Sequence, residues 1–232
     1  MSERERSVMF DIETKGTGVN SFILSIGAVA FDDDGFLSGY DKTNPVAWYG
    51  QVPWNDPSQS ERDVDPETMT WWDSQREPLQ ILQTPDSAQA EWVYPGIEDL
   101  LEAFSAFVKA HKTSGGRMIC KGSDFDIAIV RSAMRYFRVE PSWKYNHTRC
   151  MRGWLDACYA VGISPHLHLG FQGGNPGIKH HAADDAIWQT MLYVRYNHKL
   201  WQVAHKSAQQ SLPLDTTNGP GLMAAPDLKD AP

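Results

Sequence analysis

Two apolar runs in this chain are each followed, at once or within four residues, by a pair of acidic residues, and that pattern restricts the fold more than any bulk property does. Val8-Met9-Phe10 continues into Asp11-Ile12-Glu13-Thr14, and Met118-Ile119-Cys120 is followed by Asp124-Phe125-Asp126. The first run reads as a buried strand. Strand side chains alternate between faces, so Asp11 and Glu13 emerge on one side while Ile12 points into the core. Carboxylates placed side by side repel one another unless a cation lies between them. Oxygen-only ligands suit a hard divalent ion, magnesium or manganese. The plain alternative is a strand end whose two acids face water, the ordinary fate of a short acidic motif.

The second run leads into Ile127, Val130, Ala133, Met134 and Phe137, whose spacing of three and four residues predicts a helix. Asp126 then falls in the first turn of a helix that begins where a strand ends, within reach of a pocket at the sheet edge. Asp124 has a structural explanation as the N-cap. A third stretch, His180-His181-Ala182-Ala183-Asp184-Asp185-Ala186, opens a helix carrying Ile187, Met191 and Val194. His180 and Asp185 are five apart and are not one-turn neighbours, so the histidine belongs to the entering loop: a mobile base beside a fixed ligand. The rival His181 has Ala186 five residues on. Taken alone, two adjacent histidines describe a solvated helix entry.

Together, Asp11-x-Glu13-Thr14, Phe125-Asp126 and His180-x-Ala182-x-x-Asp185-Ala186 resemble the DEDDh branch of the DnaQ-like 3′–5′ exonucleases. The run Ile23-Leu24-Ser25-Ile26-Gly27-Ala28-Val29 resembles that family's second strand. The resemblance extends from about Val8 to Asn197. It implies an α/β, ribonuclease H-like mixed sheet flanked by helices. Thr68-x-x-Trp71-Trp72-x-x-Gln75 is similar to the group that includes phage exonuclease A and a mycobacterial exoribonuclease. Gly122 departs from the proofreading-type members, many of which carry asparagine there, and this favours a free-standing nuclease over a polymerase subunit.

The resemblance implies two divalent cations, Mg2+ or Mn2+, which in two-metal hydrolysis lie about 3.5–4 Å apart. Asp11 is expected to bridge them, Glu13 and Asp185 to hold the nucleophile-side ion, and Asp126 the other, in part through water. His180 is expected to be the general base. Thr14, Phe125, Trp71, Trp72 and Gln75 are expected to bind substrate. Adjacent helical residues point about 100° apart, so at most one of Trp71 and Trp72 faces the substrate. The expected partner is single-stranded RNA or DNA with a free 3′ end, released as nucleoside 5′-monophosphates; a homodimer is left open. Two other readings stand beside this one. The same site would serve a phosphodiesterase acting on short oligonucleotides or a nucleotide-containing small molecule. An inactive ribonuclease H-like module, binding nucleic acid or protein, would be expected to have lost one of the acids.

The 232 residues, 41% hydrophobic, suffice for one sizeable core, and no long apolar run suggests a membrane span. The charged start, Met1 to Arg6, has no apolar segment of a signal peptide behind it, so a cytoplasmic location is expected. Cys120, Cys150 and Cys158 form no CxxC pair and are expected as thiols. The net charge of -8 is unusual for a nucleic-acid binder. Bound cations would reverse the local sign in the metal site, and gripping a few terminal nucleotides needs no long basic track.

Strands are expected near Val8–Asp11, Phe22–Phe31 and Val46–Val52, with a solvated turn at Asp32-Asp33-Asp34-Gly35. A Trp- and Pro-rich insertion spans Pro53 to Pro66. A helix is predicted from Pro95 to Lys112, with proline at its first position, and another from Met151 to Val161 that buries Leu155 and Cys158. Residues 1–206 read as one exonuclease domain and 207–232 as a flexible tail rich in Ser, Pro, Gly and Ala. His166 and His168, with His147 and Cys150, match no standard zinc spacing and read as solvated or core histidines.

Overall fold

The computed structural model describes residues 5–32, 46–85, 90–165 and 177–210. Among these, five strands form one mixed sheet in the order β3-β2-β1-β4-β5. They are β1 (Ser7–Thr14), β2 (Ile23–Phe31), β3 (Val46–Gln51), β4 (Met118–Cys120) and β5 (Thr148–Cys150). The first three pair antiparallel, while β4 and β5 lie parallel to β1 and to each other. The expected mixed sheet flanked by helices is thus present, and its antiparallel start is the one the strand order implies.

The alternation in β1 assigns its two faces. Val8, Phe10 and Ile12 enter the larger core together with Leu100, Leu101 and Phe104 of α3 (Ile97–His111) and Val130 and Ala133 of α4 (Ala128–Tyr136). Met9, on the opposite face, packs with Ile119, with Met151 of α5 (Met151–Ala160) and with Val194 of α6 (Ala182–Gln210). Asp11 and Glu13 continue the Met9 face, so they emerge beneath α6. Two shorter helices, α1 (Pro66–Asp73) and α2 (Arg76–Gln83), follow the insertion. The indole N–H of Trp72 donates to the Thr14 carbonyl at 2.8 Å and ties α1 to the end of β1.

Several expectations shift in detail. Pro95 is not the first helical residue of α3: Gly96 is the N-cap, and the carboxylate of Asp56, 41 residues away, accepts the Ile97 N–H at 3.0 Å. Asp124 is not an N-cap. It lies exposed within a π-helical turn, Ser123–Ile127, whose cap is Gly122. Helix α5 ends at Ala160, burying Cys158 and leaving Leu155 half-buried. Helix α6 runs to Gln210 and so takes in the first four residues of the expected tail. Residues 211–232 lie outside the described residues, as do His166, His168 and the turn beyond Asp32.

Gly27 sets how closely α6 approaches the sheet. It pairs with Asp11 across β1 and β2, and a Cβ at Gly27 would stand 2.2 Å from the backbone of Ala182 and Ala183. Backbone cannot swing aside as a side chain can, so Gly27→Val must push the start of α6, and Asp185 with it, away from Asp11. Overpacking of this kind typically costs about 1–3 kcal/mol. Thermal unfolding of Gly27→Val should show that loss, together with a weaker stabilisation by Mg2+ or Mn2+ than in the wild type.

Candidate active site

Four carboxylates and one imidazole converge where β1, the π-helical turn and the start of α6 meet. Asp11 and Glu13 come from the same face of β1, opposite Gly27 and Ser25 of β2. Asp126 is buried in the turn that follows β4, and its Oδ2 accepts the Gly122 N–H at 3.2 Å. Asp185 stands in the first turn of α6, where its Oδ2 accepts the His180 N–H at 3.0 Å. His180 has a φ of 64°, a left-handed conformation uncommon for a residue with a side chain, and the Asp185 bond helps to hold it. Ligand atoms of Glu13, His180 and Asp185 lie within 4.8 Å of one another. The site opens into a cavity of about 420 Å³ lined by these residues and by Phe125.

The electrostatics of the cluster are unfavourable as it stands. Burial, and then the neighbouring Asp126 and Asp185, hold the Asp11 carboxyl well above the usual range, while a 2.7 Å hydrogen bond from Gln189 Nε2 opposes the shift. Glu13 is raised by burial and by the other three acids. Asp126 is pushed up to about 6, mainly by burial, and Asp185 is raised by the same cause. Burial also lowers the pKa of His180, although Asp185 opposes this, so the imidazole is neutral and basic at neutral pH. A set of buried oxygen donors that repel one another fits hard divalent cations, which remove the repulsion.

His180 and His181 have different surroundings. His180 packs edge-on against Trp71, with ring centroids 4.7 Å apart, and lines the cavity. His181 lies over Tyr49 at 4.4 Å and contacts Asp184 at 3.3 Å. The two tryptophans divide in the same way: Trp72 is 1% exposed and packed in the core, Trp71 39% exposed. Trp71, the edge of Trp72, Thr14 and Phe125 line a second cavity, also about 420 Å³, which shares Ile12, Glu13 and Phe125 with the first. Gln75 lines neither. It is the N-cap of α2, and its side-chain amide donates to Ser74 Oγ at 2.7 Å.

The sequence reading missed Lys121, Arg152, Lys179 and Gln189, all of which line the first cavity. Gln189 had a signal, being one helical turn beyond Asp185. Arg152 had none in its own surroundings, but its guanidinium occupies the space beside Gly122. A Cβ there would lie 2.7 Å from Arg152 Nη1, so the asparagine of the proofreading-type members would displace this cation.

The sheet and its helices define a ribonuclease H-like fold. Two solved structures of E. coli exonuclease I show the likeness: the zinc-bound form with single-stranded DNA (TM-score 0.56, 16% identity, 89% of this chain and 43% of that chain) and the complex with a dA16 oligonucleotide (0.54, 17%, 87% and 43%). This chain therefore spans less than half the length of the exonuclease I chains it matches. No curated protein matches the sequence. Residues 6–196 match the 3′–5′ exoribonuclease Rv2179c-like domain, and the chain belongs to that family of nucleases. Among the described residues no helix is long and apolar enough to cross a membrane.

A carboxyl whose folded-state pKa stands above its unfolded value binds its proton more tightly when folded, so its contribution favours the fold at low pH and is lost as it ionises. The metal-free protein should accordingly gain stability from Asp126 as pH falls from about 7 toward about 4, by an amount on the order of 1–3 kcal/mol. Asp126→Asn should flatten that part of the profile and raise metal-free stability near neutrality. Denaturant unfolding in EDTA across this range checks both.

Proposed function

We propose that the protein is a 3′–5′ exonuclease that removes nucleoside 5′-monophosphates from single-stranded RNA or DNA, using two divalent cations, Mg2+ or Mn2+. The observation that carries this reading is the convergence of Asp11, Glu13, Asp126 and Asp185 with His180 on one cavity in a chain of an exoribonuclease family. The four carboxylates would hold the ions. When bound, such ions lower the pKa of an attacking water and relieve the charge that builds at phosphorus.

The chain's own groups supply the remaining work. A ring nitrogen of His180, neutral because burial depresses its pKa, accepts the proton of the attacking water. Trp71 limits the swing of that ring by its edge-on contact. Lys121, Arg152 and Lys179 bring positive charge to the rim, where phosphates of the strand are bound. The second cavity, walled by Trp71, Thr14 and Phe125, receives the terminal nucleotide and orients it. The family description favours RNA; the exonuclease I structures hold single-stranded DNA.

Incubating 5′-end-labelled RNA and DNA strands with the protein in Mg2+, Mn2+ or EDTA should give stepwise shortening from the 3′ end that EDTA abolishes. Asp11→Asn should eliminate it with the fold intact. His180→Asn, which tolerates the left-handed backbone, should slow single-turnover hydrolysis by about 10²–10⁴-fold while metal binding survives. His181→Asn should be mild. Equal losses in the two histidine variants, or internal cleavage of the strand, would contradict the reading.

A further inference from the structure

A second basic feature lies at the opposite end of the strands that carry the site. Strands β4 and β5 run parallel, pairing Met118 with Thr148 and Cys120 with Cys150. Their C-terminal ends lead to Lys121, Gly122 and Arg152 at the catalytic cavity. Their N-terminal ends, about 7 Å away at the strand rise per residue, border a cleft of about 510 Å³ lined by Lys109, Lys112, Lys144, His147 and Trp143. Between the two ends, Arg149 projects from β5, the sheet's edge strand, with its side chain exposed.

This cleft is crowded with like charge in a chain whose net charge is -8. Lys112 Nζ is held by hydrogen bonds to the Thr113 and Gly116 carbonyls and to His147 Nδ1, at 2.8, 3.1 and 3.3 Å, and among the described residues no carboxylate forms an ion pair with Lys109, Lys112 or Lys144. Glu5 is the one acid acting on Lys112, while Arg117 opposes it. Beyond slight burial, Lys112, Arg117, Lys144 and Arg149 all depress the His147 pKa, a sign of uncompensated positive potential. One further group points to a ligand with more than charge: Tyr145, 75% exposed, is presented by the 3₁₀ turn Tyr145–His147 at the rim.

We propose that this cleft and the exposed edge of β5 form a track for the body of the substrate strand, binding phosphates a few nucleotides from the end being hydrolysed, with Tyr145 as a stacking platform. Positive grooves combined with exposed aromatic rings are what sequence-tolerant single-strand binders use. The inference rests on the proposed exonuclease activity, and it predicts a dependence on strand length that the catalytic cavity alone does not create.

The test uses the full chain. In an Asp11→Asn background, fluorescence anisotropy compares labelled single strands of 3 and 20 nucleotides for the parent, Lys109→Gln/Lys144→Gln, the charge-reversed Lys109→Glu/Lys144→Glu, and Tyr145→Ala. All three residues are exposed, so folding should survive. The Gln pair should weaken binding of the 20-mer and lower the slope of log Kd against log salt by about 1.4, the value for two lost phosphate contacts. The Glu pair should weaken it by tenfold or more and Tyr145→Ala by several-fold. With Asp11 intact, all three variants should hydrolyse the trimer at the wild-type rate. Equal effects on both lengths, or none, would overturn the track. Full competition by inorganic polyphosphate, with no effect of Tyr145→Ala, would overturn it in favour of a general polyanion site. Absence of hydrolysis of any strand by the unmutated protein would instead defeat the proposed activity, and the binding measurements would still read the track.

Discussion

Mutual repulsion among buried carboxylates is the constraint on which this structure turns. Asp11, Glu13, Asp126 and Asp185 come from three separate elements; burial raises all four pKa values, and for Asp11 and Glu13 the neighbouring carboxylates raise them further. Such an arrangement opposes the fold unless protons or cations occupy it. It persists because two apolar cores hold the three elements in place from opposite faces of the sheet. The glycine opposite Asp11 lets α6 close onto that sheet, and closing it brings Asp185 to the cluster.

The alternation of β1 made the most informative part of the site legible in the sequence. A period of two places Asp11 and Glu13 together and Ile12 in the core, whatever the remainder of the chain does. His180 was separable from His181 by its distance to Asp185, and the structure gives the two rings different surroundings. What was not legible depended on long-range contacts. The N-terminus of α3 is capped by Asp56 across 41 residues, which local proline and glycine signals cannot show. Gln75, in the same motif as Trp71 and Trp72, stands at the N-cap position of α2 and makes no side-chain capping bond there. Arg152 reaches the site only because β4 and β5 are neighbours, a pairing that a three-residue strand such as Thr148–Cys150 does not announce.

Charge is distributed in keeping with a nucleic-acid substrate, despite the acidic total. The acids of the site lie together in one cavity, and Lys121, Arg152 and Lys179 line it as well. Further cations follow β5 to the cleft at its far end. Net charge therefore says little about this partner, because the sign that a strand meets is set locally.

Divalent cations seated among the four acids would relieve their repulsion. Calorimetric titration of Mn2+ into metal-free protein tests this most directly, run at one pH near neutrality in two buffers of different ionisation enthalpy. The account predicts two ions bound per chain with release of protons, since carboxyls with raised pKa values must give them up on binding. Absence of binding, or binding without proton release that Asp11→Asn leaves unchanged, would contradict it.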